Sequence, residues 1–353
     1  MRADTKKSRQ YFAASNSRGG FVNYFSQIFG DGKCQQLFVI KGGPGTGKSS
    51  FMRKMGDLAE QSGYAVTYYF CSSDPTSLDG IMIDVLSVGF VDGTAPHVWE
   101  PASVGVFEQI VNLGAFWDRH VLVNNRLEIE SLTEKKRERY KQAYRYLSAY
   151  GAVRAAADEM IRPLVDAKKL SRAAERIFRR YAPPAAECPV EMVGLCDSVG
   201  MAGRVRLDTY EQIAKVFCPI RDVCGTAYLF LSAIHSLCLE AGVSVRVSYD
   251  PILPERIDAL ELIDNGVVFS QCSGEEEGRT INMRRFVDNE GYRATRSAYR
   301  ENLALCDCLL GLANKAFSEV REYHFQLEKI FGAAMDFEAK ERFETAFSQG
   351  LFS

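Results

Sequence analysis

The segment FVIKGGPGTGKSS, residues Phe38 to Ser50, constrains the chain more than any other. Gly42-Gly43-Pro44-Gly45-Thr46-Gly47-Lys48-Ser49 fits the phosphate-loop (Walker A) pattern G-x-x-x-x-G-K-[ST] at every position. The run QLFVI before it is short, apolar and bounded by glycine, as a buried parallel strand is. Phe51, Met52, Met55, Leu58 and Ala59 follow at helical spacing, so a helix starts within the motif. Strand, glycine loop and helix in that order place backbone N–H groups and a helix N-terminus around an anion. The expected ligand is therefore a nucleotide, cradled by Gly42 to Ser50. Lys48 is expected to reach the β- and γ-phosphates and the Ser49 hydroxyl to ligate Mg²⁺.

The base is read as adenine, because the chain carries no N-K-x-D segment of the kind that reads guanine; Asn289-Glu290-Gly291 and Asn124-Asn125-Arg126 do not match it. A second strand is expected from Ala65 to Cys71, ending in the turn-forming stretch Ser72-Ser73-Asp74-Pro75-Thr76-Ser77-Leu78-Asp79. A third apolar segment, VLSVGFVD, ends at Asp92. An aspartate closing a strand beside the loop is where the Mg²⁺-associated carboxylate belongs, so Asp92 is the first candidate and Asp74 and Asp79 are the alternatives. Gly93 follows Asp92, so the water-activating glutamate that often stands there is absent, which points to slow hydrolysis or a base from elsewhere. His97, in DGTAPHVWEP, could sense the γ-phosphate or serve as an ordinary loop histidine.

Hydrophobic residues make up 46% of the 353-residue chain and charged residues 25%, an ordinary globular balance, and the length suits two domains. A net charge of −2 supplies no global attraction to nucleic acid or anionic membrane. The N-terminus MRADTKKSRQYF lacks the apolar core of a secretory signal, and the most apolar run, Val223 to Leu239, contains Ser232, His235 and Ser236 and reads as a buried helix. A cytoplasmic location without membrane contact is expected. The ten cysteines, Cys34, Cys71, Cys188, Cys196, Cys218, Cys224, Cys238, Cys272, Cys306 and Cys308, form no CxxC pair and are read as reduced thiols.

Phe116 to Tyr181 reads as long helices, with Tyr140, Tyr144, Leu147 and Tyr150 on one face. Lys135, Lys136, Arg137, Arg139, Lys141 and Arg145 make the first of them basic. Glutamates lie among these charges, which favours a solvated face over a nucleic-acid surface. Pro183-Pro184 marks the end of the helical unit and a domain junction, giving expected domains at 1–195 and 196–353.

An internal similarity spans that junction. Gly63 and Gly242 stand 179 positions apart (242 − 63), and at this shift GYAVTYYFCSSDPTSLDG overlies GVSVRVSYDPILPERIDA without a gap. Phe51, Met52, Met55 and Leu58 meet Phe230, Leu231, Ile234 and Leu237, and Val88 and Phe90 meet Val267 and Phe269. The glycine loop meets IRDVCGTAYL, with Ala227 in place of Lys48 and Tyr228 in place of Ser49. The second copy thus keeps a scaffold and loses the phosphate chemistry.

Carried by FVNYFSQIF, KGGPGTGKS, CSSDPTSLDG, DGTAPHVWEP and NLGAFWD, the chain resembles an uncharacterised bacterial family of P-loop ATPases built as two tandem loop domains. The resemblance is specific as far as Asp118 and looser beyond. It implies ATP binding and hydrolysis and names no substrate. The expected fold is α/β: a P-loop-type parallel sheet flanked by helices, duplicated, with a long helical segment after the first sheet. The expected function is a Mg²⁺-dependent ATPase acting as a switch or motor. The alternatives are a P-loop kinase whose acceptor is held by Asp74, Asp79 or the basic helix, and a nucleotide-gated binding module with little turnover. A protein partner or an oligomer is compatible with either.

Overall fold

The computed structural model describes residues 8–30, 32–95, 98–272 and 280–352. The first half opens with β1 (Arg9–Phe12), a hairpin of β2 (Ala14–Ser17) and β3 (Gly20–Asn23), and the short helix α1 (Phe25–Phe29). It continues through β4 (Gln36–Lys41), α2 (Lys48–Gln61), β5 (Thr67–Phe70), β6 (Leu78–Ile83), β7 (Val88–Asp92) and β8 (Glu108–Asn112). Helices α3 (Arg119–Asn124), α4 (Arg126–Ile161) and α5 (Ala167–Tyr181) follow. The second half runs β9 (Glu191–Val193), a hairpin of β10 (Asp197–Gly200) and β11 (Gly203–Arg206), α6 (Thr209–Ile213), β12 (Val216–Arg221) and α7 (Ala227–Glu240). It ends with β13 (Val245–Tyr249), β14 (Ile257–Leu262), β15 (Val267–Cys272), β16 (Ile281–Asn282), α8 (Asn289–Ala333) and α9 (Phe337–Phe352).

Two six-stranded sheets result, ordered β1-β5-β6-β7-β4-β8 and β9-β13-β14-β15-β12-β16. Strand for strand their directions agree: β4 lies parallel to β7 and β8, and β12 to β15 and β16. Leu37, Val39 and Ile40 on β4 have no exposure, because both faces of this inner strand are covered. The sheets depart from the fully parallel arrangement that the sequence predicts. Leu78–Ile83, whose first two residues belong to the expected turn, is a strand antiparallel to both β5 and β7, and β14 is its antiparallel counterpart in the second sheet. Asp79-Gly80 breaks the apolar pattern there. Gly80 is required by packing, since a Cβ at that position would lie 2.5 Å from the Phe29 ring and 2.8 Å from the Phe90 carbonyl oxygen.

Helices α4 and α8 pair along their length. Trp117 bridges Met335 at one end and Val165 bridges Val287 at the other, so the two run antiparallel. Tyr140 and Tyr144 pack edge-on to Phe317 of α8, with centroids 5.9 and 6.3 Å away, and Leu147 is fully buried beside them. The predicted tyrosine face is thus an intramolecular seam, while three of its six basic neighbours pair with acids: Arg137 with Glu134, Lys141 with Glu138 and Arg139 with Glu319. At 45 residues, α8 extends about 65 Å and carries the chain from the second sheet back to the first.

This return produces an exchange of covering helices. The α5 residues Leu170, Ala173 and Ala174 join Ile220, Phe230 and Leu231 in the core of the second sheet. The α9 residues Phe343 and Phe347 pack on Phe51, Phe38 and Phe90 of the first, with Phe347 centred 4.9 Å from Phe38 and 5.3 Å from Phe51. Each sheet is sealed by the helix that follows the other.

The sheets also meet directly. Phe12 and Leu195 exchange backbone hydrogen bonds of 2.8 and 3.0 Å, and Tyr11, Phe25, Phe29, Leu195 and Tyr210 share one core. Buried Glu261 pairs with Arg9 at 3.3 Å across the same seam and with Arg246, its neighbour on β13, at 3.4 Å. The apolar run Val223–Leu239 lies mostly in α7 against the second sheet, and among the described residues no helix is long and apolar enough to cross a membrane.

Candidate functional site

Residues 42–47 link β4 to α2, as the motif requires. Gly45 and Gly47 adopt φ of 68° and 78°, in the left-handed region that side chains disfavour, and Gly47 caps α2 from that conformation. Thr46 is fully buried and its hydroxyl donates to the Gly43 carbonyl at 2.9 Å, stiffening the turn from inside. The Lys48 ammonium donates to the carbonyls of Gly42 at 3.1 Å and Gly43 at 2.9 Å. A cation laid over loop carbonyls stands at the rim of the turn, not in the core. Ser50 is exposed on the first turn of α2.

Asp92, at the end of β7, joins this group: its Oδ2 lies 3.6 Å from Lys48 Nζ, and both side chains are 13% exposed. Adjacency of β4 and β7 brings the two together, with Ile40 paired to Asp92. Its other oxygen accepts from Thr94 N at 2.9 Å, and Lys41 donates to the Gly93 and Trp99 carbonyls at 2.8 and 2.7 Å, so the strand end is braced. Ser49 Oγ accepts from Leu78 N at 2.9 Å, which fixes the hydroxyl at the mouth of the loop.

The other two carboxylates are placed differently. Asp74 closes a turn by accepting from Thr76 N at 3.1 Å and from its hydroxyl at 2.8 Å. Asp79 is 2% exposed, on β6 beside the Cys71 thiol. His97 lies outside the described residues. Of the predicted residues, then, the loop, Lys48, Ser49 and Asp92 come together.

Several residues at the site come from the far end of the chain, outside the predicted set. A Cβ on Gly43 would lie 3.1 Å from Trp117 and 3.3 Å from Phe331, and one on Gly45 would fall inside the envelope of the Glu328 carbonyl oxygen. The carboxy-terminal end of α8 therefore closes over the loop. From α9, Lys340 approaches Gly47, its Nζ 3.0 Å from where a Cβ would stand. Lys340 pairs with Glu344, and Glu344 pairs with Lys54 at 3.2 Å. The signal for this cluster was present: Phe337, Lys340, Glu344, Phe347 and Leu351 share one helical face, and two charges on an apolar stripe call for a buried partner.

The link between β12 and α7 is a turn as well, one residue shorter (222–226 against 42–47). Here the chain supplies its own anion. Asp222 accepts from Cys224 N at 3.0 Å and from Ala227 N, the first residue of α7, at 2.7 Å. Arg154 of α4 donates to the Gly225 carbonyl at 3.3 Å and pairs with Asp158, which also holds Arg256. Side chains fill the position that a loop would otherwise offer to a ligand.

Among the described residues no cluster of three or more His, Cys, Asp or Glu side chains is arranged to hold a metal ion. Comparison with known protein families, with curated proteins and with solved structures finds no match to this chain.

Proposed function

We propose that this chain binds ATP with Mg²⁺ at the Gly42–Ser50 loop and hydrolyses it, working as a nucleotide-driven switch or motor. The reading rests on one observation above the rest: Lys48 lies across the Gly42 and Gly43 carbonyls and 3.6 Å from Asp92 at the end of the adjacent parallel strand. Terminal phosphates would take the Lys48 ammonium, with the α2 N-terminus and the loop N–H groups supplying the remaining donors. The Ser49 hydroxyl and the Asp92 carboxylate are hard oxygen donors that suit Mg²⁺. When bound with nucleotide, the ion would neutralise phosphate charge there.

The tandem reading of the fold belongs to the same proposal. Agreement in strand order and direction between the sheets, hairpin and helix equivalents in each half, and left-handed Gly63 and Gly242 after α2 and α7 support it. Strand pairing sets β12 at an offset of 180 from β4 (216 − 36, with partners Val267 and Val88), while α7 starts 179 after α2 (227 − 48). Gly45-Thr46 then corresponds to Gly225-Thr226, and the residue lost is the counterpart of Gly47. With Asp222 on the amides, the second turn would bind no nucleotide.

A small-molecule kinase would need a carboxylate for its acceptor, and the placement of Asp74 in a turn and Asp79 in the interior weighs against that reading. Calorimetric titration with MgATP tests the proposal: one site per chain is expected, abolished by Lys48→Ala with the thermal midpoint retained. Near-normal binding and phosphate release by a folded Lys48→Ala protein would overturn it.

A further inference from the structure

The α9 residues Lys340 and Glu344 form an ion pair one turn apart, and their side chains are each only 7% exposed. Glu344 also holds Lys54 of α2 at 3.2 Å, so one carboxylate joins two helices from opposite halves of the chain. The Lys340 stem lies against Gly47: a Cβ there would stand 2.9 Å from Cε and 3.0 Å from Nζ. Gly47 caps α2 from the left-handed region, and Lys48 and Ser49 follow it directly. Thus α9 grips α2 twice, at the cap where the glycine loop ends and again at Lys54.

The other half of the molecule makes the same joint without these charges. Asp336 N donates to the Phe116 carbonyl at 2.9 Å as α9 begins, and Asp166 N donates to the Phe286 carbonyl at 2.8 Å as α5 begins. Each aspartate then caps its helix by accepting from the amide three residues on. The two helices correspond at a shift of 170 (337 − 167), and α2 and α7 at a shift of 179 (227 − 48). Lys340, Glu344 and Lys54 then correspond to Leu170, Ala174 and Ala233, which lie in or against the apolar core of the second sheet. Burying an ion pair is often no more stabilising than packing apolar residues of similar volume in its place. The three charges accompany the intact glycine loop and are missing beside the turn that Asp222 caps. Apolar packing lets one helix slide on another, whereas a carboxylate shared by two ammonium groups fixes their register.

We propose that Lys340 and Glu344 are positioning residues of the nucleotide site: through Gly47 and Lys54 they hold the loop and the first turns of α2 in the conformation that receives phosphate. The inference rests on the nucleotide site proposed above and adds that both halves of the chain build it. The Lys340 ammonium is occupied by Glu344, so the pair acts through the backbone at Gly47 and not on one phosphate of the ligand. Diphosphate and triphosphate should therefore depend on it equally.

The full-length chain is titrated with MgATP and MgADP as wild type, as Lys48→Ala and as the double variant Lys340→Leu with Glu344→Ala. A triple variant adds Lys54→Ala and so places the second half's residues at all three positions. The double and triple variants are expected to unfold in urea no earlier than wild type and to bind both nucleotides about tenfold more weakly. In the nucleotide-free double variant, amide hydrogen exchange over residues 43–49 should speed up while the strands of the first sheet keep their protection. Wild-type affinity in both variants overturns the positioning role. So does an affinity loss accompanied by an earlier unfolding midpoint and faster exchange throughout the first sheet, which is what a merely structural pair would give. Loss for ATP with ADP unchanged also overturns it, because the effect would then lie on the terminal phosphate. If Lys48→Ala abolishes binding while the double and triple variants bind as wild type, this inference fails alone. Absence of nucleotide binding by the wild type removes the underlying site and this inference with it.

Discussion

Lys48 Nζ and Asp92 Oδ2 stand 3.6 Å apart, and the same ammonium is hydrogen-bonded to two carbonyls of the loop it belongs to. The pair is largely withdrawn from solvent, so its Coulomb attraction exceeds that of an exposed ion pair. On the function proposed above, an incoming phosphate would take Lys48 from those partners and leave Asp92 for a divalent cation.

Asp92→Asn is therefore expected to leave nucleotide affinity without Mg²⁺ unchanged or higher, since Lys48 loses its internal counter-charge. Mg²⁺-dependent phosphate release should fall about a hundredfold, the loss of a few kcal/mol of metal-assisted stabilisation. Affinity measured with and without Mg²⁺, set beside single-turnover rates, separates the two effects. Should Asp74→Asn or Asp79→Asn show this pattern and Asp92→Asn not, the metal carboxylate sits on a different strand end.

Gly45→Ala should cost about 1–3 kcal/mol from its left-handed backbone alone, with φ at 68°. A further cost arises because the new methyl meets the Glu328 backbone, which cannot swing away as a side chain would. A denaturant midpoint well below wild type, together with loss of ATP binding, is expected. By contrast, Gly20→Ala at φ 107° meets no atom within 4 Å and should show the backbone cost without the clash.

In the second half, Asp222→Ala removes the acceptor for two amides at the start of α7. A loss of about 1–2 kcal/mol is expected by urea unfolding, with the stoichiometry of nucleotide binding still one per chain. Two titrating sites in the wild type would contradict the self-capped reading of this turn.

Asp258 carries a pH signature. Burial raises its pKa from the ordinary 3.8 to about 6, against the opposing charge of Arg206 and a hydrogen bond with Ser248. The folded chain therefore holds a proton that the unfolded chain has lost between these two values. The stabilising contribution is full below 3.8 and is lost as pH rises through about 6. Relative to Asp258→Asn, wild type should lose stability as pH climbs across that window, read from urea midpoints at several pH values. A stability difference independent of pH would show that the carboxyl does not titrate there.

Much of this was legible in the sequence because it is local. The QLFVI strand, the glycine loop and the helix from Lys48 are encoded by consecutive residues, and so are the strand and helix flanking Asp222. The strand at Leu78–Ile83 was hidden because Asp79-Gly80 interrupts its apolar run, for a packing reason that lies on Phe29 and Phe90. The covering helices were hidden for a different reason. The stripe of Phe343 and Phe347 on α9 says that a sheet lies beneath it, but not which sheet. The approach of Glu328 and Lys340 to the loop follows only from the antiparallel return of α8, a relationship no short window of sequence contains.

The exchange of covering helices has a consequence for biosynthesis. On the ribosome the glycine loop and its sheet emerge early, yet the surface formed by Phe38, Phe51 and Phe90 stays bare until residues 337–352 have been made and α8 has carried them back. Contacts so distant along the chain close slowly and leave apolar surface open to wrong partners meanwhile. A nascent chain stalled before α9 would expose that greasy face, because Phe343 and Phe347, which cover it, would not yet have been made. The first sheet is closed only once α9 has followed α8 back to it.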